Sequence, residues 1–170
     1  MADLQQLTTI LWRQRQLVEQ LLYRVEVQQL LLASGKTRWV AQAAHDVEVV
    51  LDRMRHEELQ RALCVSTVSA DLGLESSNPS LRELTAVVGS PWDGVLRDHQ
   101  EAFLALTAEI EFVTRNNREL LTRGHQATRE LLAALSGGTE ISGYGANGRS
   151  ARLSATNHLG VESALVAQIQ

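Results

Sequence analysis

The chain is poor in the residues that build sheet-rich cores and secreted scaffolds. Aromatic residues fill only 4% of its 170 positions, and it holds two prolines, one cysteine and a single lysine, Lys36. A mixed sheet of this length draws on aromatic and β-branched side chains that pack on a pleated surface, and their scarcity argues against one. The lone Cys64 excludes an internal disulfide and fits a reducing compartment. No stretch reaches the roughly 20 apolar residues of a membrane span, and "MADLQQLTTILWRQRQ" lacks the basic segment and apolar core of an export signal. The expectation is a cytoplasmic chain without stable membrane insertion. Its net charge of −4 is mild and interspersed, with no basic block to count phosphates, so nucleic acid is not an expected partner.

What is present is Leu, Ala, Gln, Glu and Arg, residues that lose little side-chain entropy in a helix. The fold class predicted is all-α: an elongated antiparallel bundle or coiled coil of three main helices, with a short connector helix and a flexible C-terminal tail. The division is a helical domain over 1–135 and a Gly/Ser-rich tail over 136–170.

The first helix is predicted from Ala2 to Ala33, with Leu4, Leu7, Leu11, Val18, Leu21, Val25 and Leu32 on a heptad seam and Gln14 and Gln28 filling its gaps. Gly35 suits a left-handed C-cap and Thr37 a new N-cap. The second helix is expected from Thr37 to Ala70, with Val40, Ala44, Val47, Leu51, Met54 and Val65 as its stripe. A connector over Asp71–Gly89 contains a short candidate helix at Leu81–Val88. The string "SPWD" then predicts the longest helix, with Ser90 as N-cap and Pro91 as its first residue.

That helix has the cleanest register in the chain. Trp92, Leu96, His99, Phe103, Leu106, Ile110, Val113, Asn117, Leu120, Gly124, Ala127, Leu131 and Ala134 alternate steps of four and three. About 45 such residues form a rod of roughly 67 Å. Beyond Leu135 the pattern stops. The segment "SGGTEISGYGANGRSARLSATNHLG" has little to bury and reads as a tail, and "VESALVAQIQ" has the spacing of a short amphipathic helix that forms on contact with something else.

Catalytic readings fail one by one. "ASGKT" at 33–37 resembles the end of a phosphate-binding loop, but the required earlier glycine is Leu30. "HEELQ" at His56 opens like a zinc helix, yet Gln60 stands at the second ligand position. His45, His99, His125 and His158 have no cysteine partners. A histidine phosphotransfer bundle is a weak alternative, because neither His45 nor His125 is followed by the lysine and small residue such sites use. No metal, cofactor or catalytic residue is expected.

What remains is surface. Doubled leucines at Leu21-Leu22, Leu30-Leu31-Leu32, Leu120-Leu121 and Leu131-Leu132 widen the apolar stripes beyond what one coiled-coil partner covers. A third helix or an external partner must cover the rest, and toward Leu135 the balance tips to the external one. Asn117 and Gly124 then mark where the internal coiled coil weakens: a seam asparagine fixes pairing at some cost, and a mid-helix glycine costs about 1 kcal/mol relative to alanine.

The Leu/Gln-rich first helix, "VLDRMRHEELQRA" on the second, the connector, "NNRELL" on the third and "YGANGR" in the tail together resemble the FlgN family of flagellar export chaperones, over roughly residues 4–150. The resemblance implies a non-enzymatic chaperone for hook–filament junction proteins, which covers their terminal helical region and delivers them to the type III export gate. It implies a substrate-protein surface at Asn117, Leu120, Leu121, Gly124, Thr128, Leu131, Leu132 and Leu135, and an export-gate contact at Tyr144. The chaperone itself would be a monomer or a homodimer. A self-associating structural coiled coil is the principal alternative.

Overall fold

The computed structural model describes residues 2–135. The expected tail over 136–170, with the short helix at its end and Tyr144, lies outside the described residues. Helix α1 spans Ala2–Ala33, a 3₁₀ turn spans Thr37–Trp39, α2 spans Val40–Leu72, α3 spans Leu81–Val87 and α4 spans Trp92–Leu135. There is no strand among the described residues.

The first two helices end in the same way. Gly35 and Gly73 both take φ of +67°, a conformation open to glycine at little cost. Lys36 N–H donates to the Leu31 carbonyl at 3.1 Å and Gly35 N–H to Leu32 at 3.2 Å; Leu74 and Gly73 repeat the arrangement on Ser69 and Ala70 at 3.0 and 3.2 Å. Both are Schellman caps, which satisfy carbonyls that a helix end would otherwise strand. The second cap carries α2 two residues beyond the expected Ala70.

Two predicted starts are displaced. Thr37 opens a 3₁₀ turn rather than capping α2, and neither Lys36 nor Trp39 makes a side-chain cap hydrogen bond. The last helix begins at Trp92, one residue later than expected, and the Ser90–Pro91 peptide is cis. The connector helix α3 is well capped instead. Ser80 Oγ accepts from Glu83 N–H while the Glu83 carboxylate accepts from Ser80 N–H at 2.7 Å, a reciprocal box.

Cross-helix contacts fix the directions. Cys64 lies by the Asp3 carbonyl and Glu58 by Gln14, so α2 runs back along α1. Trp12 packs on His99 and Val25 is bonded to Asn117, so α4 runs parallel to α1. The backbone of α1 approaches both α2 and α4 closely, and α3 packs on α4. Leu7, Leu11, Val18, Leu21 and Val25 from α1 join Val47, Leu51, Val65 and Val68 from α2 and Leu96, Phe103, Ile110 and Val113 from α4 in one core. Full burial of each such side chain is worth about 1.5–3 kcal/mol.

Ala43, Val50, Cys64 and Val68 of α2 are buried beyond the predicted stripe, while Val40, Ala44 and Met54 are only half-buried. In α4 Thr107 takes the buried place beside a half-buried Leu106. The polar seam positions of α1 are both spent on partners. Gln14 donates to Glu58 Oε2 at 3.0 Å, and Glu58 also receives both Arg61 Nε and Nη2 at 2.9 and 2.8 Å. Gln28 accepts from Asn117 at 3.2 Å.

Candidate functional site

The register of α4 continues past the point where its burial stops. Leu96, His99, Phe103, Ile110, Val113 and Asn117 are buried; Leu120 is half-buried, and every residue from Leu121 to Leu135 is exposed. A mismatch of lengths accounts for the far part of this exposure, beyond about His125. Asn117 sits against Val25, from which α1 runs about 12 Å further to Ala33, whereas α4 runs about 27 Å further to Leu135 at 1.5 Å per residue. The helix is continuous through Gly124, so it leaves the bundle without a bend to fold it back.

Leu121, Gly124, Thr128, Leu131, Leu132 and Leu135 follow the core positions at steps of three and four, and therefore share the face that is buried lower down. Leu121 is 45% exposed, Leu131 60%, Leu132 57% and Leu135 75%. At Gly124 an added Cβ would meet no atom within 4 Å, so no internal contact demands the glycine and the space above it is open. Thr128 Oγ1 turns inward to its own helix, donating to the Gly124 carbonyl at 2.9 Å. The flanks carry Arg123 paired with Glu119 at 3.3 Å and Gln126 with Glu130 at 3.0 Å. The result is an apolar strip with a shallow notch at Gly124 and a charged rim.

Asn117 is placed differently from the others. It is 3% exposed, and its Nδ2 donates to the Val25 carbonyl at 2.9 Å as well as to Gln28. Its amide is committed to α1 at the root of the projection, not to the open strip. Leu120 lies at the border. At the same end of the rod, Leu30 and Trp39 are exposed near the α1–α2 turn. Leu30 belongs to the tripled leucines; no periodicity singles out Trp39, which belongs to the turn.

The remaining chemistry is structural. Burial, and then the Asp3 charge, push the Cys64 thiol above its ordinary range, the reverse of what a nucleophile needs. His99 is buried between Trp12, edge-on at 5.2 Å, and Phe103 at 6.3 Å. Burial lowers its pKa, Arg15 lowers it further, and Asp98 opposes them. His45, His56 and His125 are exposed at separate points along the rod. No group of three metal-ligating side chains comes together among the described residues. No described helix is long and apolar enough to cross a membrane.

Helix α4 thus extends beyond the bundle's own core with its apolar face uncovered among the described residues. The FlgN family model, described as FlgN protein, matches residues 1–152, and the chain belongs to the FlgN family of flagellar export chaperones. The match includes all of α4 and runs through Tyr144. No curated protein and no solved structure matches the chain.

Proposed function

We propose that the protein is a cytoplasmic chaperone for hook–filament junction proteins of the flagellum, and that the projecting part of α4 is where it holds them. The observation that carries this reading is the uncovered continuation of the core stripe over Leu121–Leu135. A client's amphipathic terminal helix packs along it by anchors at i, i+3, i+4 and i+7. Leu121, Leu131, Leu132 and Leu135 supply the apolar contact, Gly124 the notch and Thr128 a small neutral centre. Leu120 closes the lower edge, and Asn117 holds the strip's root in register from inside the bundle.

Covering the client's helix blocks premature assembly, because that helix is the surface the client would use on its neighbours. Delivery to the type III export gate follows, with Tyr144 as the gate contact. No covalent step is needed: modest affinity from a strip this narrow lets the client leave. The test is co-purification with a junction protein. Leu121→Asp together with Leu132→Asp removes the client while helical content is kept, and undiminished co-purification overturns the assignment. Tyr144→Ala keeps the client but lowers export, and loss of client binding in that variant contradicts a gate role.

A further inference from the structure

At the end of the rod away from the strip, the starts of α1 and α4 meet the end of α2 and the connector around an open cleft of about 330 Å³. Val68 and Val88 are buried and make its floor, and the half-buried Leu4 and Trp92 make its walls. The lip is apolar as well, with Leu72 36% exposed and Val87 50%. Two acidic side chains, Asp3 and Asp71, stand in the lining, and no basic one does. Neither carboxylate has an ion pair among the described residues.

The surrounding charge has the same sign. From Asp71 to Asp93 the chain carries Asp71, Glu75, Glu83 and Asp93 against Arg82 alone, which gives this end of the rod a negative field. Asp71 also lies in the last turn of α2, where the helix dipole favours a cation and disfavours a carboxylate. A cation arriving from outside offsets both terms.

We propose that this cleft is a docking site for a second protein, which inserts bulky apolar side chains flanked by arginine or lysine. The volume sets the size of what enters. It lies at the lower end of the range for enclosed ligand sites, about 300–1,000 Å³, so the cleft takes a few side chains and not a whole helix. Its floor and lip cover the aliphatic part, while Asp3 and Asp71 receive the positive groups at the rim. The same carboxylates repel phosphate, which argues against nucleic acid and anionic lipid as occupants. Trp92 and Leu121 stand about 44 Å apart along one continuous helix. A client on the strip and a partner in the cleft are therefore held without overlap, and the cleft binds its partner whether or not the strip binds clients.

The experiment is an NMR titration of the isotope-labelled full-length chain with two capped peptides, "GSRLLRSG" and "GSELLESG", which differ only in the charge beside the leucines. The arginine peptide should move the signals of Leu4, Leu72, Val87 and Trp92, less so as salt is raised, and the glutamate peptide should bind about tenfold more weakly. Asp3→Asn together with Asp71→Asn should weaken the arginine peptide about tenfold with the unfolding midpoint kept. Asp71→Arg, which suits the end of α2, should reverse the preference between the peptides. No movement at the cleft, equal binding of the two peptides, or a preference unchanged in Asp71→Arg overturns the proposal. So does an occupant already present in the peptide-free chain. Cleft signals that shift with protein concentration would make that occupant a second copy, and cross-relaxation from the Leu72 or Val87 methyls to residues 136–170 would make it the chain's own tail.

Discussion

The side-chain amide of Asn117 donates to the backbone carbonyl of Val25 across the α1–α4 interface at 2.9 Å, while its own Oδ1 has no partner among the described residues. This contact is the last buried step of the α4 seam. Below it the stripe makes the core; above it the same stripe is open. A polar residue at such a position holds one alignment of two helices at some cost in stability.

Asn117→Ala therefore removes both bonds to α1 and leaves a small void at the root of the projection. Loss of about 1–2 kcal/mol in urea unfolding is expected. Asn117→Leu, which fills the site with apolar matter, costs less than the alanine, and the reverse order would contradict the register role.

Glu58 holds Arg61 with two hydrogen bonds, and Arg61 is only 4% exposed. Glu58→Gln strands that guanidinium in the interior and also weakens the bridge to Gln14. Breaking a fully buried pair costs several kcal/mol; with Glu58 partly exposed to solvent, about 2 kcal/mol is expected. Urea midpoints of the two chains check this, and an unchanged midpoint would show that the pair contributes nothing.

Burial lowers the pKa of His99 below its ordinary 6.5, so the folded chain prefers the neutral ring. The unfolded chain takes up the proton first as pH falls, and stability drops below about pH 6.5 toward the folded-state value. The groups facing the ring are Arg15 from α1 and Asp98 from α4, and the first outweighs the second. His99→Gln should flatten the fall in unfolding free energy between pH 7.5 and pH 5.5. An equal slope in both chains would place the titration elsewhere, since His45, His56 and His125 are kept in the variant.

Gly124→Ala meets no steric obstacle and gains about 1 kcal/mol of helix propensity. Since residues 121–135 stand clear of the core, the gain should appear as slower local amide exchange around position 124 rather than as a shift in global unfolding. If the notch receives a client side chain, the same variant binds the client less well despite its firmer helix.

Much of this architecture is legible in the spacing of apolar residues. The steps from Leu96 through Phe103 and Ile110 to Val113 set the buried face of α4, and Gly35 marks the end of α1 by the φ it must take. The limit is informative. Leu121 and Leu131 keep the same spacing as Ile110, so periodicity cannot tell a covered stripe from an open one. The difference lies in where α1 stops relative to Asn117, a tertiary alignment that no local pattern encodes. The buried face of α2 is wider than its stripe for a similar reason: Ala43, Val50 and Cys64 are small and unremarkable in sequence, and they become core because α2 presents a broad face to the rest of the bundle. The start of α4 at Trp92 lies one residue beyond the first helical position that the string "SPWD" suggests. In the candidate strip the leucines stand out as doublets; Asn117 shares their spacing, and only its bond to Val25 places it inside the bundle.

The most direct test of the account uses a control that the structure itself supplies. Leu59 and Leu63 on α2 are 64% and 68% exposed, as open as the leucines of the strip but outside it. Calorimetric titration of a junction protein's terminal-helix peptide into two full-length variants separates generic stickiness from a defined surface. With Leu121→Asp and Leu132→Asp, affinity should fall at least 100-fold; with Leu59→Asp and Leu63→Asp, it should match the unaltered chain. Equal losses in the two variants, or a loss only in the α2 pair, would contradict the assignment of the projecting end of α4 as the client-binding surface.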